Sequence, residues 1–173
     1  MRELPMPTFP IADLSAPIAS RKALLPSSAA PKGISADKAR FEVVWASNEN
    51  DVRQAQQLRH LVFVEEMGAR LTLPKGAPAG HDIDMFDPFC EHLLVRHAES
   101  GEVVGTYRAL TPAQARRAGT TYTESEFDLA PLHALRSRAV ELGRSCVHPS
   151  WRSGAVIMAL WTALGHYMAR NGL

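Results

Sequence analysis

Cysteine is scarce: Cys90 and Cys146 are the only two in 173 residues. Two thiols cannot form a disulfide framework, and their spacing matches no metal-ligand pattern, so both read as reduced thiols and no metal site is expected. Charge of one sign is lacking as well. Lys and Arg number 19 against 18 Asp and Glu, a net of +1, which creates no field that would gather nucleic acid. Long apolar runs are also missing. None approaches the roughly 18 to 20 residues that a membrane-spanning helix needs, because the most apolar stretch is broken by Gly165, His166 and Arg170. The first twenty residues have no basic start followed by an unbroken apolar core, so they do not read as a secretory signal. A cytoplasmic protein is expected, and peripheral contact with a membrane is compatible with that expectation.

What is present is ordinary for a soluble domain: 46% hydrophobic and 21% charged residues, in a chain long enough to bury a core. Proline is unevenly spread. Six of the twelve, Pro5, Pro7, Pro10, Pro17, Pro26 and Pro31, fall in residues 1–38 among Ala and Ser. A segment short of backbone donors and without apolar period reads as a disordered arm, which leaves one domain over 39–173.

Phe41 to Trp45 is a short β-branched run. Ser47-Asn48-Glu49-Asn50-Asp51 then supplies helix-capping side chains, and Val52, Ala55, Leu58, Val62 and Phe63 mark a helix that ends at Gly68. Residues 71–80 are loop. They lead to an acidic stretch, Asp82 to Glu91, with four carboxylates interleaved with Ile83, Met85, Phe86 and Phe89. Residues 92–96 and 103–110 form an antiparallel hairpin around the turn Ala98-Glu99-Ser100-Gly101. Thr111-Pro112 and Gly119 bracket a short helix, and Phe127 to Leu135 adds a further helical turn.

The chain is organised around Ala139 to Arg170. Ala139 to Val147 reads as a buried strand. From Ser153 onward Val156, Leu160, Ala163, Leu164 and Tyr167 recur at helical spacing. The turn between them, His148 to Gly154, precedes a helix start, where unpaired N–H groups and the macrodipole favour an anion. Arg152 can add a bidentate contact to a phosphate, and Gly154 lets a ligand approach the backbone. Glu141 and Arg144 bring a carboxylate and a guanidinium to the strand. The element order is β-α-β-β-α-β-α, an α+β or mixed α/β sandwich.

The run Val147-His148-Pro149-x-x-Arg152-x-Gly154 resembles a compressed form of the turn by which GNAT-type N-acyltransferases hold a pantetheine-linked phosphate. Glu141-Leu142-Gly143-Arg144 with Cys146 to Pro149 and Arg152 resembles the L-ornithine N-alpha-acyltransferases of bacterial ornithine-lipid synthesis, cousins of the acyl-homoserine-lactone synthases. Three further blocks are similar in the same order: Arg59-x-x-Val62-Phe63-x-x-Glu66-x-Gly68, Asp82-x-Asp84-x-Phe86-Asp87, and Val104-Gly105-Thr106-Tyr107-Arg108. Gly68-Ala69 stands where homoserine-lactone synthases carry Gly-Trp, which favours the ornithine branch.

The resemblance implies a GNAT-like fold, a central mostly antiparallel sheet flanked by helices. It implies transfer of a 3-hydroxyacyl group to the alpha-amine of L-ornithine from acyl carrier protein, whose phosphopantetheine thioester serves as co-substrate, with no permanently bound cofactor. Glu141 is then the general base, directly or through a water. Asp84 and Asp87 orient the ammonium groups or brace arginines, and Arg59, Arg108 and Arg144 are candidates to meet the carboxylate. Arg152, with the N–H groups of Ser153, Gly154 and Ala155, holds the phosphate.

Other readings stand beside this one. Another amine acceptor would fit the same motifs, as in a homoserine-lactone-synthase-like enzyme, and so would a non-catalytic module binding acyl carrier protein or pantetheine. Glu141 could be an ion-pair partner of Arg144 or Arg108, and Arg59 could serve only to bridge Asp84 or Asp87. Cys146 reads as packing, His148 as a capped or exposed residue, and Trp151, Trp161 and Tyr167 as core or interface. The chain stops at Leu173, where the resemblance implies further strands. It therefore reads as a fragment or truncated product that lacks one wall of the cleft and is not expected to be active alone.

Overall fold

The computed structural model describes residues 40–152 and 154–173; the arm expected over 1–38, and Ser153, lie outside the described residues. Four strands, β1 (Phe41–Trp45), β2 (Glu91–His97), β3 (Val103–Leu110) and β4 (Glu141–Val147), pair antiparallel in the order β1-β2-β3-β4. This is the α+β sandwich expected of the sequence.

Two helices cover the sheet, one on each face. Helix α1 (Glu49–Arg59) starts where expected. The Asn48 side chain accepts from Asp51 N at 3.0 Å, and Ser47 N donates to Asp51 Oδ2 at 2.9 Å. Its Ala55 and Leu58, with Val62, pack on Leu94, Val103 and Cys146. The apolar stripe of α4 (Ala155–Asn171) covers the other face, where Val156, Leu160 and Leu164 meet Leu93, Val95 and Val104. A helix of this length needs such a face, because propensity alone leaves it marginal in water.

Several expectations are corrected. The helix from Glu49 does not run to Gly68 as one α-helix: residues His60–Glu66 are wound as a π-helix, a feature common at functional sites. The strand expected to be buried over 139–147 covers Glu141–Val147, and only Cys146 in it is fully buried, because β4 is paired on one side alone among the described residues. The helix expected from Ser153 begins at Ala155. Helix α2 (Pro112–Ala118) has the predicted Thr111 cap and left-handed Gly119. The expected turn over Phe127 to Leu135 is a 3-10 segment, Ala130–Leu135, preceded by an unexpected helix α3 (Tyr122–Glu126). Thr121 and Glu124 build a capping box there, a signal present in the sequence as Thr-x-x-Glu.

Candidate active site

Three arginines and three aspartates meet on the α1 face of the sheet. Arg59, wholly buried at the end of α1, lies 2.7 Å from Asp87 Oδ2 and 3.2 Å from Asp82 Oδ2, and it donates to the Asp82 carbonyl. Arg108 on β3 donates to Asp84 Oδ1 at 2.7 Å and Asp87 Oδ1 at 2.9 Å. Arg144 on β4 approaches Asp82 Oδ2 at 3.1 Å and Asp84 Oδ2 at 3.3 Å. Three cations and three anions balance, which offsets the cost of removing each from water.

The acidic loop is thus an inward fold rather than a solvated one. Asp82 N donates to the Gln56 carbonyl at 3.1 Å, and Asp84 Oδ1 accepts from Phe86 N at 2.8 Å. Burial pushes the Asp87 carboxyl up, but Arg59 and Arg108 outweigh it and hold the group below the usual carboxylate range. His92 is buried beneath the cluster, with Nε2 3.1 Å from the Asp87 carbonyl, and burial keeps its pKa below the ordinary histidine value. Burial also pushes the Cys90 and Cys146 thiols up to about 12. A packing role fits both, since a nucleophile needs an accessible thiolate.

Arg144 reaches this cluster because β4 is bulged. Thr106 pairs with Cys146 and Arg108 with Gly143, so Tyr107 faces two residues, Arg144 and Ser145. Arg144 itself is left-handed, at φ 51°. Leu142 packs on the α4 side, and strict alternation would send Arg144 there too. The inserted residue turns Arg144 and Cys146 to the α1 face instead.

The side chains of Arg59, Asp82, Asp87 and Arg108 are 5% exposed or less, whereas Arg144 is 24% and Asp84 18% exposed. Of the five residues expected to meet the substrate, Arg144 and Asp84 therefore form the solvent-facing edge, and Arg59, Asp87 and Arg108 brace them. Arg59 pairs with Asp82 and Asp87, not Asp84. Arg144 also lines a cavity of about 390 Å³ with Phe63, Met67, Ala69 and Leu71.

Glu141 pairs with neither Arg144 nor Arg108 among the described residues. Its carboxylate accepts the Tyr122 and Thr123 backbone N–H groups at 3.2 and 3.0 Å, at the start of α3. The Arg144 guanidinium lies 5.4 Å from the centre of the Tyr122 ring, a cation–π distance. Tyr122 therefore joins Glu141 to the arginine cluster, a role with no signal in the sequence beyond the capping box beside it. Glu141 also lines a larger cleft, of about 1270 Å³, between β4, α2 and the 3-10 segment.

The turn after β4 lies at the strand's other end, about 20 Å from Glu141 at the usual rise per residue. His148 is capped as read: its Nδ1 accepts from Ser150 N at 3.2 Å. Trp151 packs edge-on to Phe41, with ring centroids 5.7 Å apart, and anchors the turn, while Trp161 is exposed. Gly154 adopts φ 87°, a conformation that costs glycine nothing, and among the described residues no side chain caps the first N–H groups of α4. Arg152 is engaged: both its Nη atoms donate to Glu66, at 2.7 and 2.6 Å. Glu66, on the π segment, is a second residue whose role the sequence did not disclose.

Residues 58–162 match the acetyltransferase (GNAT) domain family. The chain is 39% identical over 137 residues to an L-ornithine N(alpha)-acyltransferase of Rhodobacter capsulatus, covering 74% of this chain and 51% of that protein. It is 39% identical over 140 residues to one of Brucella abortus, covering 77% and 50%. The chain thus spans about half the length of the curated relatives it matches. Among solved structures, the CoA-dependent acyl-homoserine lactone synthase BjaI, determined with SAM and isopentyl-CoA, aligns with a TM-score of 0.53 at 26% identity over 77% of this chain and 62% of that one. Sheet, helices and motifs agree with these matches, and the chain belongs to the acetyltransferase (GNAT) domain family.

Proposed function

We propose that this protein transfers a 3-hydroxyacyl group from the phosphopantetheine thioester of acyl carrier protein to the alpha-amine of L-ornithine, the first step towards ornithine lipid. The observation that carries the proposal is the 39% identity, over three quarters of the chain, to proteins named for ornithine N-alpha acylation. The acceptor's carboxylate meets Arg144 and an ammonium group meets Asp84, beside the cavity bounded by Phe63 and Leu71. Burial of the other two arginines holds that pair in place, so little ordering is left to the moment of binding.

The thioester arm lies along β4, its phosphate at the uncapped start of α4. Arg152 joins the phosphate by exchanging Glu66 for it, with Ser153, Gly154 and Ala155 presenting backbone N–H groups. Glu141 accepts the proton of the amine, directly or through a water, as the amine attacks the thioester carbonyl; the C–S bond then breaks and the pantetheine thiolate leaves, taking up that proton as the free thiol. The two hydrogen bonds that Glu141 accepts from α3 leave lone pairs free for taking the proton. The product joins an acyl chain to a charged head, so release at a cytoplasmic membrane surface goes with this reading.

The test is an assay of the protein with 3-hydroxyacyl donors on acyl carrier protein and on coenzyme A, against ornithine, lysine and homoserine. Acylation of the ornithine alpha-amine from the carrier-protein donor is expected. Preference for another amine, or carrier-protein binding without turnover, would overturn the proposal.

A further inference from the structure

Tyr122 is 40% exposed, yet its ring is held from two sides. The Arg144 guanidinium carbon lies over it, 5.4 Å from its centre. The buried Phe86 meets it edge-on, with ring centroids 6.3 Å apart and planes at 82°, and Phe86 N donates to Asp84 Oδ1 at 2.8 Å. The backbone under the ring is fixed as well. The Thr121 and Glu124 capping box, the ion pair of Glu124 with Arg136, and the two N–H groups accepted by Glu141 all restrain α3. No residue of α3 is buried, so core packing does not explain why its first ring is held so closely.

Arg144 is the group that gains from this restraint. Its side chain is 24% exposed, against 1% for Arg59 and 5% for Arg108. Its Nε and Nη2 lie 3.1 Å from Asp82 Oδ2 and 3.3 Å from Asp84 Oδ2, whereas Nη1 has neither an ion pair nor a hydrogen bond among the described residues. Contacts along one edge leave a planar group free to rock about that edge, and an aromatic face laid against the plane removes the freedom. Resting on the reading in which Arg144 meets the acceptor's carboxylate, we propose that Tyr122 is a positioning residue for the acceptor, its ring keeping the Arg144 guanidinium in the plane that leaves Nη1 to that carboxylate. Guanidinium–carboxylate recognition is planar and directional, so a tilted Arg144 binds the acceptor less well. Through its N–H, the same residue holds Glu141. One short helix thus fixes both the group that meets the carboxylate and the group that takes the proton.

Substitution separates the two contributions of Tyr122, because any residue other than proline supplies the N–H while only an aromatic one supplies the ring. Tyr122→Leu should raise KM for ornithine about tenfold, leaving kcat and the donor KM at their parent values. Tyr122→Phe, which keeps the ring face, should recover most of that loss. An unchanged ornithine KM in Tyr122→Leu overturns the proposal. So does a Tyr122→Phe variant as impaired as Tyr122→Leu, which would assign the effect to the hydroxyl, or a loss falling on kcat or equally on both KM values, which would mark a general fault in α3. Independently of turnover, the urea midpoints of Tyr122→Leu, Arg144→Gln and the double variant should be non-additive, the double variant losing less than the two single losses together. Additive losses overturn the proposal. If the unsubstituted protein acylates no amine from any donor, the acyl-transfer reading fails, and the urea midpoints still decide whether the ring holds Arg144.

Discussion

Asp87 receives Arg59 and Gln56 on one oxygen and Arg108 on the other, so the carboxylate is the hub on which two buried guanidinium groups depend. Asp87→Asn removes that charge while keeping the shape, so Arg59 keeps only Asp82 and Arg108 only Asp84, and the buried cluster is left one negative charge short. The expected cost is about 3–5 kcal/mol, read from the urea midpoint; a variant as stable as the parent would show that the cluster contributes little to folding. The Arg and Asp members of this network were legible as motif positions. Their division into buried braces and a solvent-facing pair was not, because exposure depends on how the loop folds back onto Gln56. Tyr122 acts through a backbone N–H, which leaves no pattern in the sequence, and Glu66 stood as a motif position with no sign of its distant partner Arg152.

Among the elements, β3 and α4 approach closely at Gly105, where an added Cβ would lie 2.4 Å from Val156 Cγ1. Valine is stiff at χ1, so the neighbour cannot turn aside cheaply. Gly105→Ala is expected to destabilise by about 1–3 kcal/mol, and the added Val156→Ala change should restore part of that loss in thermal unfolding. No recovery in the double variant would mean that strain lies elsewhere. The strands, the hairpin turn and the caps of α1 and α2 were legible because alternation, Gly and Asn or Thr each act locally. The bulge at Arg144 was not legible: it shows only when the registers at Thr106 and Arg108 are compared. Nor was the π-wound segment, since its residues keep an ordinary helical pattern.

At the scale of the molecule, the buried cluster makes stability depend on pH. The folded state holds His92 neutral below the ordinary histidine value, so the unfolded chain binds more protons as pH falls below about 6.5, and stability declines from there. Asp87 is depressed too. Its contribution is full above about 3.9 and is lost as pH falls through its lower folded value. Tm should therefore drop between pH 7 and pH 5.5, and His92→Gln should flatten that interval while leaving the steeper loss in stronger acid. A flat profile in the parent protein would contradict the burial of His92. Among the described residues no helix is long and apolar enough to cross a membrane.

The most direct measurement is the single-turnover rate of ornithine acylation by Glu141→Gln, with folding checked by Tm and donor binding measured alongside. Glutamine retains an oxygen to hold the start of α3 but is a poor proton acceptor. The account predicts a rate about 10² to 10⁴ lower with donor affinity unchanged. An unaltered rate would contradict it and reduce Glu141 to a clamp for α3.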